Sequence, residues 1–424
     1  MSRRILVYGD WVGLNGETLL GYLHASAVRG KERFEFEFDK NALADPLIAQ
    51  ASLDPRIGPY LGRQHPPKGH DTFGVFDDAS PDRWGCLLMK RRHERDIREG
   101  RKPKGSVLHA SDFLLGVHDH YRAGGIRLRL DAEGPFMDDQ HNLAAPPFAQ
   151  LRELEEASRR FEAGEDLDVG GKDWLRMLIA PGGSLGGARP KASVVNTDGS
   201  LWIAKFPSND DEFNVGAWEM VVNTLARKVC GLSVAEGAAN TYASAHHCFM
   251  VKRFDRMAAG RRKHFASAMT MTGNTDGYDH SAGASYLEIA QVLIQHGAST
   301  TEDLRELWRR IVFNMLVSNT DDHMRNHGFL LDHGKGWRLA PAYDMNPVPY
   351  ANGLKLNVSE ADNAQDLDLA LSVADRFRVK QIEAQMIVDQ FRAGIDSTWH
   401  RLAGALQLSA KEIEAMAPAF DLCK

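Results

Sequence analysis

The chain has 424 residues, more than one hydrophobic core usually supports, so we expect two or three lobes. Its 43% hydrophobic and 25% charged residues are typical of a soluble globular protein, and its formal net charge of −6 excludes a globally basic nucleic-acid coat. Four cysteines, none in a metal-ligand spacing, exclude a disulfide scaffold and favour a reducing, cytoplasmic location. We expect neither a signal peptide nor a membrane partner, because no apolar run is long enough for either.

The first forty residues have the pattern of β-strands. Phe34, Phe36 and Phe38 alternate with glutamates, which predicts a strand with one buried face. Further along, Ser80 is predicted to cap the next helix, with Pro81 at its first helical position.

That helix is predicted to continue into a basic segment, residues 90–104, which holds eight Lys or Arg and three Asp or Glu. Its local charge of about +5 suits a nucleic acid or an acidic partner. A solvated helix end accounts for the same composition, and we favour that interpretation. Residues 131–147 contain three Pro and three Asp and are predicted to be a linker or an exposed loop.

A glycine-rich segment, PGGSLGGARPK, occupies residues 181–191. Glycine lets a loop adopt positive φ and brings backbone N–H groups close to a phosphate, so the segment is a candidate nucleotide loop. It matches neither a Walker A loop nor the glycine-rich loop of protein kinases. A flexible linker has the same composition, and the segment alone does not separate the two.

A hairpin is predicted over residues 192–206, with Lys205 in its apolar return strand. A lysine in such a strand usually extends to solvent, but a kinase-like site needs one there to hold the phosphates of ATP. The next helix, predicted over residues 213–230, carries Glu219, which is a candidate carboxylate partner for Lys205 or simply an exposed helical residue.

The segment VSNTDDHMRN, residues 317–326, follows an apolar helix and precedes a predicted strand. Asp321 and Asn326 have the Asp-x-x-x-x-Asn spacing of phosphotransferase catalytic loops, in which the Asp accepts the proton of the attacking hydroxyl and the Asn binds Mg²⁺. Asp322 is a rival, but it lies four residues from Asn326. A polar turn after a helix is the alternative. His323 and His327 have a spacing that zinc sites use, but no Glu or Cys nearby completes such a site.

A second hairpin is predicted from strands at 328–331 and 336–339, followed by Tyr343 and Asp344. Folding this hairpin returns Asp344 to the neighbourhood of Asn326, and two oxygen ligands beside nucleotide phosphates suit Mg²⁺. Asp344 is otherwise a turn aspartate. The strand at residues 249–256 lies between the two sets of motifs and is predicted to be an interlobe hinge whose backbone pairs with adenine.

Five motifs occur in a fixed order between about residues 184 and 347: SLGGARPK, WIAKFP, VKRFDR, NTDDHMRN and LAPAYDMNP. In this combination the chain resembles the HipA family, the kinase toxins of bacterial toxin–antitoxin pairs. The PDRWG stretch at residues 81–85 is similar to that family's LPDxWG, so the resemblance covers most of the chain. It implies an α+β fold: an atypical bilobal, protein-kinase-like fold similar to that of phosphatidylinositol kinases, with a small β-rich N-terminal domain and a helical C-terminal lobe.

The resemblance also implies site residues and the cofactors ATP and Mg²⁺. Asp321 matches the catalytic aspartate, Ser184 matches a loop serine that the family autophosphorylates, and Asn326 and Asp344 match the metal-contacting residues. The residues that it implies in nucleotide binding are Gly186, Gly187, Ala188, Arg189, Pro190, Lys191, Lys205, Lys252, Arg253, Phe254, His323, Met324, Arg325 and Tyr343.

We therefore predict a serine/threonine kinase toxin with three parts: an N-terminal domain (1–140), a kinase N-lobe (141–255) and a C-lobe (256–424). The resemblance implies a small helix-turn-helix antitoxin as partner, contact with DNA only through that antitoxin, and a protein substrate such as an aminoacyl-tRNA synthetase. Two alternatives stay open. One is a small-molecule phosphotransferase, and the other is a catalytically idle module that binds the antitoxin and DNA.

Overall fold

The computed structural model describes residues 2–28, 31–137, 146–165, 178, 187 and 189–424. It divides into two compact units. Unit 1 comprises Met1–Asn209, Asp255–Ala266 and Leu331–Gly334. Unit 2 comprises Asp210–Phe254, Ser267–Leu330 and Lys335–Lys424. The three-part division at residues 140 and 255 stays a prediction.

Unit 1 contains a four-stranded antiparallel sheet with the strand order β3-β2-β1-β4. Its strands are β1 (Ser2–Gly9), β2 (Thr18–Val28), β3 (Lys31–Phe38) and β4 (Ile126–Arg129). The phenylalanines of β3 are buried while the residues between them are half-buried, which confirms the predicted one-sided strand. Burial of one apolar face is what orients this sheet toward its core.

The α-helices of unit 1 follow β3 in the chain. They are α1 (Lys40–Ala44), α2 (Pro46–Gln50), α3 (Gly74–Asp78), α4 (Arg83–Arg98), α5 (Ala110–Leu115) and α6 (Leu151–Glu162).

The predicted start of α4 is wrong by two residues. Asp82, rather than Ser80, is the N-cap, and its Oδ1 accepts a hydrogen bond of 2.8 Å from the backbone N–H of Gly85. Ser80 instead donates its hydroxyl to the carbonyl oxygen of Phe76 at 2.8 Å, because the preceding helix α3 ends close by. Aspartate and serine are both good caps, so local sequence did not separate them.

The strands β5 (Lys191–Val195) and β6 (Leu201–Lys205) form a hairpin, which confirms the hairpin predicted over residues 192–206, and both strands lie in unit 1. Its strands are antiparallel, and their register places Lys191 opposite Lys205.

The chain returns to unit 1 directly after the predicted hinge. The Asp255 carboxylate accepts a hydrogen bond of 2.9 Å from the backbone N–H of Gly124, and Arg256 donates to the carbonyl oxygen of Arg122 at 2.6 Å. Asp255 is buried, so these bonds replace the water that the carboxylate would otherwise need. The last two residues of the VKRFDR motif therefore anchor the chain on unit 1.

Unit 2 begins with α7 (Val215–Thr224), which widens into a π-helical turn over Leu225–Val229. An antiparallel hairpin follows, formed by β7 (Gly237–Thr241) and β8 (His247–Lys252). The predicted helix over 213–230 is thus present, but Asn214 caps it and its last turn is irregular.

Most of the remaining chain is helical. The other elements are β9 (Phe265–Ser267), α8 (Ala268–Thr272), α9 (Tyr286–His296), α10 (Thr300–Leu316), β10 (Gly328–Asp332), β11 (Gly336–Leu339), α11 (Leu367–Ser372), α12 (Gln381–Asp396), α13 (Trp399–Ala405) and α14 (Ala410–Met416). The strands β9 and β10 each lie partly in both units.

Helix α10 is the central helix of unit 2, and it leads into the predicted catalytic segment. Leu307, Trp308 and Ile311 are fully buried, and the Trp308 indole donates to the carbonyl oxygen of Ala370 at 2.8 Å. A helix buried on most sides gives the segment that follows it a rigid starting point. None of the helices in the described part of the chain combines the length and apolar character needed to cross a membrane.

Candidate functional site

The predicted catalytic segment leaves α10 through a strained turn. Ser318 has a φ of 48°, a left-handed conformation that is uncommon outside glycine. Beyond this turn the two adjacent aspartates differ in solvent exposure: Asp321 is exposed, whereas Asp322 is only 3% exposed. Only Asp321 is therefore open to an incoming substrate.

The Asp322 carboxylate is surrounded by three hydrogen-bond donors on its Oδ2. The Tyr286 hydroxyl donates at 2.6 Å, the Asn314 amide at 2.8 Å, and Nε2 of His327 lies at 2.7 Å. Burial by itself would raise the pKa of Asp322, but the charge and hydrogen bond of His327 and the Tyr286 hydroxyl hold it below its usual value. Asp322 is thus a buried structural anion that fixes the segment.

Two asparagines extend this network toward the second predicted motif. Asn319 donates its amide to Oδ1 of Asn314 at 3.0 Å. The side-chain oxygen of Asn319 also accepts a hydrogen bond of 3.1 Å from the backbone N–H of Asn346. Because Asn314 also binds Asp322, one chain of hydrogen bonds connects α10, the catalytic segment and the loop that contains Asp344.

Asn326 lies at the end of a short 3₁₀ turn, Met324–Asn326, and is 6% exposed. Its side-chain N–H donates to the backbone oxygen of Asp321 at 3.3 Å. This orientation turns the amide nitrogen toward the backbone and leaves Oδ1 as the atom for a metal ligand. The five-residue spacing therefore brings Asn326 directly against the main chain of Asp321.

Tyr343 and Asp344 lie on the segment after β11. The Tyr343 hydroxyl donates to the backbone oxygen of Arg325 at 2.7 Å. Asp344 follows Tyr343 and Asn326 follows Arg325, so Asp344 and Asn326 lie on adjacent segments. Asp344 has a φ of 59°, a conformation that aspartate tolerates better than most residues. Strained backbone of this kind is often found at functional sites.

The predicted hinge lies at the end of β8. Lys252 is half-buried, and its ammonium lies 3.7 Å from the carboxylate of Glu236. Phe254 packs against Tyr343, with ring centroids 5.5 Å apart, whereas Arg253 is buried. The aromatic contact therefore joins the hinge to the Asp344 segment within unit 2.

The three residues between Asp321 and Asn326 that were implied in nucleotide binding have different environments. Met324 is buried, His323 is half-buried, and Arg325 forms an ion pair of 3.0 Å with Asp276.

The predicted nucleotide residues of unit 1 are described only in part. Ser184, Gly186 and Ala188 lie outside the described residues. Gly187 has a φ of 93°, a conformation that favours glycine. Arg189 is half-buried and Pro190 is buried.

The two lysines of the first hairpin differ in burial. Lys191 is 3% exposed, whereas Lys205 is half-buried. Glu219 is buried on α7 in unit 2, while Lys205 belongs to unit 1, so their pairing stays a prediction.

Sequence reasoning missed Tyr286 and Asn314, and it treated Asp322 only as a rival base. One signal was present: Asn314 interrupts a run of apolar residues in α10, where a buried amide requires a hydrogen-bond partner. The partner itself was not identifiable, because Tyr286 lies 36 residues before Asp322 in the chain.

The donor set suits magnesium better than zinc. Among the described residues, no group of three or more His, Cys, Asp and Glu side chains is arranged to hold a metal ion. His327 instead faces Asp322, which accounts for one histidine of the pair that resembled a zinc motif. One carboxylate and one amide oxygen fit Mg²⁺, which usually completes its shell with phosphate oxygens and water.

The HipA-like C-terminal domain family matches residues 183–399, which is half of the chain. The chain therefore belongs to this family. Residues 183–399 include the predicted catalytic segment, the predicted hinge and the loop that contains Asp344.

Relatives with the name of putative kinase match parts of the chain. One from Haemophilus influenzae is 28% identical over 188 residues, which are 40% of this chain and 54% of that protein. Putative kinase Y4dM from Sinorhizobium fredii is 26% identical over 245 residues, which are 53% and 58%. The chain thus spans little more than half the length of these relatives.

The structure of HipA from Shewanella oneidensis MR-1, solved in a complex of HipA, HipB and operator DNA, is similar over 99% of this chain and 95% of that one. The TM-score is 0.63 and the sequence identity 16%. The expected fold class is confirmed: an α+β kinase-like fold with a β-rich N-terminal region and a helical C-terminal part.

Proposed function

We propose that this chain is an ATP- and magnesium-dependent protein serine/threonine kinase that acts as the toxin of a toxin–antitoxin pair. The observation that carries the proposal is the contrast between the two adjacent aspartates. Asp322 is buried and saturated with donors, and it holds Asp321 exposed beside Asn326. An exposed carboxylate on a rigid, hydrogen-bonded segment suits the acceptance of a proton from an incoming hydroxyl.

In the proposed reaction, Asp321 accepts the proton of the substrate hydroxyl as its oxygen forms a bond to the γ-phosphorus of ATP. The bond between that phosphorus and the β–γ bridging oxygen breaks, and ADP leaves with its electron pair. Asn326 and Asp344 would hold Mg²⁺, which neutralises charge on the phosphates when bound.

The nucleotide-binding residues are proposed separately for each unit. In unit 2 the hinge residues Lys252, Arg253 and Phe254 would contact adenine, and in unit 1 Lys205 would bind phosphate. The contact between Phe254 and Tyr343 supports this, because it places the hinge beside the segment of Asp344.

The toxin role rests on membership of the HipA-like C-terminal domain family and on the fold shared with HipA of Shewanella oneidensis. That protein was solved together with HipB and operator DNA, so we propose a small helix-turn-helix antitoxin as the partner here, with DNA contacted only through it. We further propose a cytoplasmic protein substrate, such as an aminoacyl-tRNA synthetase, and autophosphorylation at Ser184.

The proposal is tested by incubating the purified chain with γ-labelled ATP, Mg²⁺ and a bacterial lysate, with and without a chelator. We expect label on the chain itself and on one dominant lysate protein, and none with the chelator or with Asp321→Asn. Label that appears only in a small-molecule fraction would instead identify a small-molecule phosphotransferase. Absence of any Asp321-dependent label would support the idle binding module.

A further inference from the structure

Lys191 forms a buried ion pair with Asp82, the N-cap residue of α4. Its Nζ lies 3.0 Å from Oδ2 of Asp82, and the two side chains are only 4% and 2% exposed. An ammonium buried to this degree requires an opposing charge, because desolvation strongly disfavours an isolated ion. Lys191 is therefore held by a residue 109 positions earlier in the chain.

The start of α4 holds the main chain of Lys191 as well. The Trp84 indole N–H donates to the backbone oxygen of Lys191 at 3.0 Å, and Trp84 is itself buried. Asp82 is fixed in turn, because its second oxygen, Oδ1, caps α4. Both the ammonium and the backbone of Lys191 thus contact one rigid helix end.

Lys191 also lies next to Gly187, the described residue of the glycine-rich segment before Arg189. A methyl group on the Gly187 Cα would come within 3.0 Å of Lys191 Nζ, so the backbone there lies directly over the ammonium. Lys191 therefore connects Gly187 and the start of β5 to the N-terminal end of α4.

The register of the hairpin gives Asp82 an electrostatic role. Lys191 and Lys205 are directly opposite on antiparallel strands, so their side chains leave the same face of the hairpin. Like charges in this arrangement repel each other. Asp82 compensates the charge of Lys191 and so reduces the repulsion between Lys191 and Lys205.

We infer that Asp82 is a positioning residue that fixes Gly187 and the start of β5 for ATP binding, and that Lys191 anchors these residues rather than binding phosphate itself. The inference rests on the proposed ATP-dependent function. It assigns the PDRWG stretch of the N-terminal region a role in ATP binding.

Three variants test the inference. Asp82→Asn removes the charge but keeps a good helix cap, because asparagine caps helices as well as aspartate does. Lys191→Met removes the ammonium at similar length, and the double variant removes both charges together. Asp45→Asn is the matched control, since Asp45 caps α2 through a hydrogen bond of the same kind, 2.9 Å long.

Calorimetry with Mg-ATP measures the effect, and kinetics separate KM from kcat. We expect Asp82→Asn to weaken ATP binding at least about tenfold with kcat nearly unchanged, since displacement of Gly187 and the start of β5 costs affinity. We expect the double variant to bind within about threefold of the unmutated chain, because Trp84 still holds the backbone of Lys191 and no buried charge is left without its partner. Asp45→Asn should bind ATP as the unmutated chain does.

The double variant distinguishes an anchoring role of Lys191 from direct binding of phosphate, even where a single variant fails to fold. A double variant that loses ATP binding about tenfold or more would make Lys191 a direct phosphate ligand and overturn the inference. Unchanged ATP affinity in Asp82→Asn would also overturn it. Absence of Mg-ATP binding by the unmutated chain would overturn the proposed function itself, and this inference with it.

Discussion

Nε2 of His327 lies 2.7 Å from the buried carboxylate of Asp322, and this contact distinguishes two aspartates that are neighbours in the sequence. Asp322 is directed into unit 2, where the Tyr286 hydroxyl and the Asn314 amide complete its hydrogen bonds. Asp321 is exposed as a result. We therefore expect substitution of Asp321 to affect mainly phosphoryl transfer and substitution of Asp322 to affect mainly stability.

Asp321→Asn is expected to reduce phosphoryl transfer by ~10²–10⁴, because a positioned base is lost, while ATP affinity stays unchanged. Asp322→Asn is expected to affect transfer much less. It should instead lower the free energy of unfolding by about 1–3 kcal/mol, since buried donors lose a charged acceptor. Initial rates with labelled ATP and urea unfolding of both variants separate the two effects. The assignment of the base is off by one residue if Asp322→Asn folds stably yet is inactive.

Asn326 and Asp344 are predicted to matter for ATP binding only when magnesium is present. Asn326→Ala and Asp344→Asn should each weaken ATP affinity about tenfold or more in Mg²⁺, because each removes an oxygen ligand. With a chelator they should match the unmutated chain. Glu414→Gln serves as the control, since Glu414 is an exposed carboxylate of the same unit. Calorimetry that shows equal affinity for the unmutated chain with Mg²⁺ and with chelator would rule out these metal ligands.

Local sequence patterns predicted the elements that carry the site. Helix α10 and the hairpins of β5 with β6 and of β10 with β11 were all placed correctly, because apolar periodicity and turn residues are local signals. The spacing of Asp321 and Asn326 also pointed to two residues that are in contact, because the Asn326 side chain donates to the backbone oxygen of Asp321.

The contacts that hold the site in place could not be predicted from local sequence patterns. Asp82 pairs with Lys191, and Tyr286 with Asp322, across long stretches of chain. Such pairs depend on how the helices pack, so a single sequence does not display them. The misplaced helix cap at Ser80 had a different, local origin, because serine and aspartate are both good caps and the Ser80 hydroxyl instead bonds to Phe76, four residues earlier.

Ser184 is predicted to be the site of autophosphorylation. Intact-mass spectrometry after incubation with Mg-ATP should show one added phosphate, which is absent in Ser184→Ala and in Asp321→Asn. The phosphate adds about −1.5 to −2 charges and competes with ATP for the same donors, so the phosphorylated chain should bind ATP more weakly. A Ser184→Ala chain that still gains the phosphate would place the modification at another residue.

The stability of unit 1 is predicted to decrease in mild acid because of His264. This histidine is fully buried and stacks on Trp11, with ring centroids 4.9 Å apart. Burial lowers the pKa of His264 from 6.5 to about 3. The unfolded chain therefore binds a proton below about pH 6.5 that the folded chain excludes, and the stabilisation is complete above this pH and is lost progressively toward pH 3.

At pH 5 this linkage amounts to about 2 kcal/mol of the free energy of unfolding, since each unit of differential protonation is worth about 1.4 kcal/mol. His264→Phe keeps a ring against Trp11 but does not titrate, so its urea unfolding should depend less on pH between 7 and 5 than that of the unmutated chain. His65→Gln is the control, because the His65 side chain is 67% exposed and should retain the original slope. An identical pH slope for His264→Phe and the unmutated chain would show that His264 does not set the acid sensitivity of unit 1.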